Sequence, residues 1–140
     1  MIPRQELLAS RNNFDEKNDC VVRAISHALE IDYSEAHLMC ETKGRKPKHG
    51  CWPTVMLGLH AGKKAITIKG RLITKHYRKR AQTIPTFIKK NPIGRFICSK
   101  RGHAFTVIDG IVYGQALDNS RIEYYFKVRL PKIKTNDTEK

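Results

Sequence analysis

Val21, Ala24, Ile25, Ala28 and Leu29 constrain this chain more than any other group of residues. They recur at i, i+3, i+4, i+7 and i+8, the spacing that draws one apolar stripe along an α-helix. Most of the stability of such a helix comes from burying its stripe, so the rest of the chain has to supply a surface for it. Asn18 or Asp19, just ahead of the stripe, can accept hydrogen bonds from the free first-turn N–H groups and act as N-cap. Cys20 is therefore expected at the helix start, where the positive end of the helix dipole stabilises a thiolate. This stretch alone allows two readings of Cys20. It is a nucleophile on an anchored helix whose first turn opens onto a cleft, or it is a small buried hydrophobe.

The chain has 140 residues, 40% of them apolar, enough for one domain with a modest core. That domain is expected over residues 1–130, with a polar, disordered tail at 131–140. No run approaches the roughly 18 apolar residues of a membrane span. Residues 1–6 lack the apolar segment of a signal peptide. A cytoplasmic protein is expected, with Cys20, Cys40, Cys51 and Cys98 as free thiols and no membrane partner. The net charge of +14 favours a polyanionic partner, either nucleic acid or an acidic protein. A lysine-rich surface that serves only solubility is the plain alternative.

Asp32 and Glu35 have capping-box spacing and predict a second helix over 33–42, with Ala36, Met39 and Cys40 facing inward. Residues 44–50 read as a basic loop. Pro53 suits the first turn of a short third helix with Val55, Met56 and Leu59 on its apolar side, stopping at Ala61-Gly62. Residues 65–68 read as a short strand. Residues 70–82 carry the densest charge and read as a contact surface or a solvated loop. Thr83 and Pro85 open a last short helix that buries Phe87 and Ile88 and ends at Asn91-Pro92. From Arg95 the pattern turns to strands, at 95–99, 103–108, 111–114 and 121–130. Asp109-Gly110 is the strongest hairpin signal in the chain. Helices followed by an antiparallel meander argue an α+β fold.

A thiol nucleophile needs a base, and the base needs an orienting partner. Of the six histidines, His27 and His37 fall on predicted helix surfaces, His49 in a basic loop, His60 near a helix end and His76 in the basic cluster. His103 differs. It follows Gly102 and opens an apolar strand just before the tight hairpin, so its ring can project into a cleft while the strand is locked in the core. Asp118 and Asn119 follow the next strand, and the hairpin can bring either alongside His103.

Together these residues resemble the papain-like cysteine peptidase superfamily, most closely its small phage and bacterial members. The resemblance is carried by Asn18-Asp19-Cys20 with Arg23-Ala24 at a helix start, then the Asn91-Pro92-Ile93-Gly94 lead-in, Gly102-His103-Ala104 and Asp109-Gly110. Asp118 or Asn119 completes it. It covers residues 12 to 128. It implies N-terminal helices, with the nucleophile helix packed on a C-terminal antiparallel β-sheet. It also implies a peptidase or isopeptidase with Cys20 as nucleophile and His103 as general base and acid. Asp118 would fix the imidazole tautomer and stabilise the imidazolium, with Asn119 as the alternative. No cofactor or metal is implied. The substrate is a protein or peptide, acidic if charge guides it, and a phage-encoded member acts in the host cytoplasm. Amidase and acyl-transfer reactions use the same constellation. Papain-like enzymes usually place a glutamine a few residues before the cysteine, but here the position six before Cys20 is Phe14. Asn13 and Asn18 are the nearest amides. Asn18, the closer, is expected to serve as oxyanion donor with the Cys20 N–H.

Other groupings are weaker. Cys40, His49 and Cys51 lack an obvious fourth zinc ligand and form no Cys-x-x-Cys pair, so no metal site is expected. Cys98, in an apolar run, is expected in the core, as is Trp52, although papain-like clefts often use aromatics along the rim. Arg23 is expected on the polar helix surface. The 63–80 region, with Lys75, Arg78, Lys79 and Arg80 at its densest, is a candidate nucleic-acid contact. The alternative to an enzyme is a basic nucleic-acid- or host-factor-binding protein on the same fold with a weak or silent cysteine site.

Overall fold

A computed structural model describes residues 19–46, 49–100, 102–114 and 121–131. The first helix, α1 (Cys20–Leu29), buries the whole predicted stripe together with Val22. Two arginines from the sheet close its C-terminus. Arg95 Nε donates to the Ala28 carbonyl at 2.8 Å and its Nη2 to the His27 carbonyl at 2.9 Å, while Nη1 pairs with Glu30 at 3.1 Å. Arg71 Nε donates to the Leu29 carbonyl at 2.9 Å. The last carbonyls of a helix lack intrahelical donors and carry the negative end of the dipole, so cations there answer both needs.

The second helix, α2 (Tyr33–Thr42), packs on α1. The expected capping box does not form. Asp32 sits at the N-cap without a side-chain bond, and Glu35 pairs instead with Lys69. The third helix, α3 (Pro53–Met56), is a single turn with proline at its start, and Leu57 and Leu59 beyond it are buried. The fourth, α4 (Ile84–Lys90), buries Phe87 and is closed by Asn91, whose Nδ2 donates to the Phe87 carbonyl at 3.0 Å.

Six strands among the described residues form one antiparallel sheet: β1 (Ala65–Ile68), β2 (Arg71–Thr83), β3 (Arg95–Lys100), β4 (His103–Ile108), β5 (Ile111–Tyr113) and β6 (Arg121–Arg129). Asp109 and Gly110 join β4 to β5 with φ of 47° and 80°. Positive φ at both central residues is the requirement of a type I′ turn, which matches the strand twist. The Asp109 carboxylate also accepts the Gly94 N–H at 2.8 Å, fixing the turn to the loop before β3.

The fold class is α+β, with two corrections to the expected layout. The strands do not form a simple meander, because the order is β1-β2-β6-β3-β4-β5. Strand β6 returns past β5 to lie between β3 and β2. The four central residues of β3 are all buried, because a core covers each face of the sheet there, and β4 and β6 pair with its two edges. The charged stretch, read as a contact surface or a solvated loop, is the strand β2, thirteen residues long, with an irregular register between Tyr77 and Gln82. Hydrogen bonding to β1 and β6 makes it a strand, although its lysines and arginines hide any alternation. Only Ile73 contributes a fully buried side chain to the core from the described part of β2 before residue 78.

Alternate residues feed two cores on opposite faces of the sheet. Ile97, Ala104 and Phe126 meet α1, α2 and the α3 region, while Phe96, Phe105 and Val107 meet α4. The second core is rich in rings: Phe87 stands edge-on to Phe96 at 5.2 Å and to Tyr125 at 5.0 Å. His27, expected at the surface, is 4% exposed, and its ring lies 5.2 Å from that of Tyr113. Among the described residues no helix is long and apolar enough to cross a membrane.

Candidate active site

Cys20 is the first residue of α1 and His103 the first of β4. Further along the same two elements, the buried Thr106 hydroxyl donates to the Ala24 carbonyl at 2.8 Å. Stepping back from that bond along both elements leads to the same end of the molecule, at Cys20 and His103. Both are half-buried and line one cavity of about 650 Å³. Residues 50–53 form one wall; Ser99, Lys100, Gly102 and His103 form another. The His103 ring packs on Phe105, centroids 6.2 Å apart and planes 24° apart. Lys100 lies opposite His103 in the strand register.

The helix start is built differently from expectation. Asp19 occupies the N-cap position, but its side chain makes no capping bond. It is 1% exposed, and its Oδ2 accepts the Tyr33 hydroxyl at 2.7 Å while Oδ1 faces Arg23 Nε at 3.4 Å. The first helical bond in the ladder runs from the Arg23 N–H to the Asp19 carbonyl at 2.9 Å. The N–H groups of Cys20, Val21 and Val22 are thus not consumed by the helix, and Cys20 and Val21 line the cavity. Arg23, expected as a plain surface residue, also lines the cavity, because its pairing with the buried Asp19 draws it in.

Trp52 is the opposite case. Expected in the core, it stands 72% exposed at the cavity rim, while its neighbours Pro53, Met56 and Leu57 fill the core beneath. Asn18, Asp118 and Asn119 lie outside the described residues, as do Asn13 and Phe14. Strand β5 does run back toward the His103 end of β4, with Tyr113 opposite Thr106. Lys75 is not among the residues lining this cavity, and the side chains of Arg78, Lys79 and Arg80 lie outside the described part.

Sequence reasoning missed Cys51 as a site residue. It lines the cavity beside Cys20, and its thiol is hydrogen-bonded with that of buried Cys40. The bond to Cys51, then burial, then the Cys51 charge push the Cys40 thiol far up, against the opposing pull of Arg45, a loop residue that turns out to be buried. Burial alone pushes Cys98 up. All four cysteines are unbridged. Cys40 and Cys51 meet, but among the described residues no three His, Cys, Asp or Glu side chains gather as a metal site would require.

A consequence for stability follows from the raised thiols. The unfolded chain ionises each near the ordinary value of 9.0, while the native state keeps the proton. The native state therefore binds more protons at alkaline pH. Stability is full below about pH 9 and falls above it by about 1.4 kcal/mol per pH unit per thiol. Guanidinium unfolding at about pH 8 and about pH 10 should show the fall. Cys98→Ala should lower stability at both values but flatten the decline, and an equally steep decline in that variant refutes the assignment.

No protein-family model matches the chain, and no curated protein or solved structure is detectably similar to it.

Proposed function

We propose that the protein is a papain-like thiol hydrolase, a cysteine peptidase or isopeptidase of the small phage type. The observation that carries the reading is the opening of the α1 start and the β4 start onto one cavity, with Cys20 and His103 on its walls. His103 takes the Cys20 proton, and the thiolate attacks the carbonyl carbon of an amide. The tetrahedral oxyanion is held by the first-turn N–H groups of α1, which take part in no intrahelical bond, with Asn18 as the side-chain donor. The imidazolium then protonates the departing amine, leaving a thioester on Cys20. Water, deprotonated by His103, attacks that thioester, and the acid product leaves as the thiol is restored. Asp118 or Asn119 orients the imidazole. Arg23 and Lys100 line the cavity, and Asp19, the one lining carboxylate among the described residues, is already engaged, so acidic protein segments suit it. Exposed Trp52 offers a rim against which a substrate backbone can pack.

Iodoacetamide labelling read cysteine by cysteine with mass spectrometry tests this chemistry. Cys20 should react fastest, Cys40 and Cys98 slowest, and His103→Ala should slow Cys20 by about 100-fold or more. Faster labelling of Cys51 than Cys20, or equal rates at all four thiols, would sink the assignment.

A further inference from the structure

A second cavity, of about 740 Å³, lies between strand β2 and the 59–64 loop. It is separate from the Cys20 cavity and shares none of its lining residues. Lys63, Lys64 and Lys75 line it together with His76, Tyr77 and Tyr125, and among the described residues no carboxylate does. Its volume lies within the range of small-ligand sites. Three ammonium groups with no carboxylate among the described lining residues make a seat for an anion, and the aromatic rings there offer faces to stack on.

The rings are held in place. His76 lies flat on Tyr125, centroids 4.9 Å apart and planes 10° apart, and Tyr125 is braced edge-on by Phe87 and Phe96 at 5.0 and 5.7 Å. Lys75 Nζ donates to the Thr54 hydroxyl at 2.9 Å and sits 4.7 Å from the centre of the Tyr77 ring. Tyr77 itself is 73% exposed. An apolar ring left in water on a paired strand, beside a fixed cation, contributes little to the core and offers an open stacking face.

From this juxtaposition we infer that the β2 cavity binds single-stranded nucleic acid, with phosphates on the three lysines and a base on Tyr77. Base stacking on aromatic rings combined with a cationic track is the general recipe for strand binding without sequence preference. A duplex hides its base faces inside the stack and does not suit an exposed tyrosine. Tyr77 is followed in the sequence by Arg78, Lys79 and Arg80, and the net charge of +14 favours a polyanion over a mononucleotide. The inference does not rest on the hydrolase reading.

Fluorescence anisotropy tests it with a labelled oligouridylate or oligothymidylate of about 12 nucleotides, a duplex of equal length, and uridine monophosphate as competitor. The single strand should bind more tightly than the duplex, with affinity falling steeply as salt rises. Tyr77→Ala should weaken it about tenfold or more. Lys63→Ala/Lys64→Ala should weaken it and reduce the log–log salt slope by about 1.4. The charge-matched control Lys89→Ala/Lys90→Ala, at the exposed end of α4, should change binding little. Cys20→Ala should bind as the parent does. Preference for the duplex, no binding at low salt, or equal losses in the two lysine pairs would overturn the inference. Displacement of the strand by comparable concentrations of mononucleotide would also overturn it, as would loss of binding in Cys20→Ala.

Discussion

Cys20→Ala is expected to lower kcat on a peptide or isopeptide substrate by about a millionfold, and His103→Ala by a similar factor. The double variant should be no slower than either single one. Nucleophile and base act as a unit in the proposed chemistry. Without the thiol His103 has nothing to activate, and without the imidazole no base is at hand to take the thiol proton. Cys20 is half-buried at the edge of its core, so alanine there removes the sulfur without opening a deep cavity. Far-ultraviolet circular dichroism and the unfolding midpoint should stay close to the parent values. Turnover by the purified variants on peptide and isopeptide conjugates, beside the parent, is the measurement. Retained turnover in Cys20→Ala, or losses that multiply in the double variant, would remove Cys20 and His103 from the chemistry.

The second large effect is on stability and concerns Asp19. Its carboxylate is buried, accepts the Tyr33 hydroxyl at 2.7 Å and faces the Arg23 guanidinium at 3.4 Å. Asp19→Ala strands a phenol inside the core and a guanidinium at its edge, and breaking a buried charge pair in this way costs about 3–5 kcal/mol. Tyr33→Phe removes only one hydrogen bond to the carboxylate and should cost about 1–3 kcal/mol. Against a typical total of about 5–15 kcal/mol, the first change removes a large share of the stability. Guanidinium unfolding should show a lower midpoint with an unchanged slope. A midpoint within error of the parent for Asp19→Ala would mean that the Tyr33–Asp19–Arg23 arrangement does not hold α1 to α2. The same arrangement keeps Asp19 off the α1 N-terminus. Loss of oxyanion stabilisation in Tyr33→Phe, read as a fall in kcat at unchanged KM, would show that it also serves the site.

Much of the layout was legible from local pattern. The α1 stripe, the extent of α2, the proline starts of α3 and α4 and the Asp109-Gly110 turn depend on spacings of a few residues, and each lies where that spacing points. The likeness between Cys20 and His103 was also readable locally, since each is a polar residue at the very start of an apolar element. Other features were hidden because they depend on distant partners. Strand β2 shows no alternation in its own residues, since β1 and β6 supply the backbone bonds that make it a strand. Asp19 looks like a cap until Tyr33 takes its oxygen. Trp52 looks like core until the fold buries Met56 and Leu57 and leaves the indole at the cavity rim. Cys51 carries no local sign of a site, and only the fold puts it on the wall of the cavity that Cys20 lines.

The sequence by itself determined where the helices start, the extent of α2 and the Asp109-Gly110 turn, but not the early end of α3 at Met56 or the strand β2. Helical period, proline and glycine positions and turn chemistry act over four to eight neighbouring residues and need no tertiary partner. The tertiary structure decided the order of the strands and the meeting of α1 with β4. Both are matters of which surfaces bury against which, and the burial free energy belongs to pairs far apart in the chain. The candidate site is of the second kind. Cys20 and His103 share a cavity because Thr106 and the apolar stripe dock α1 along β4, and only packing brings the two ends together.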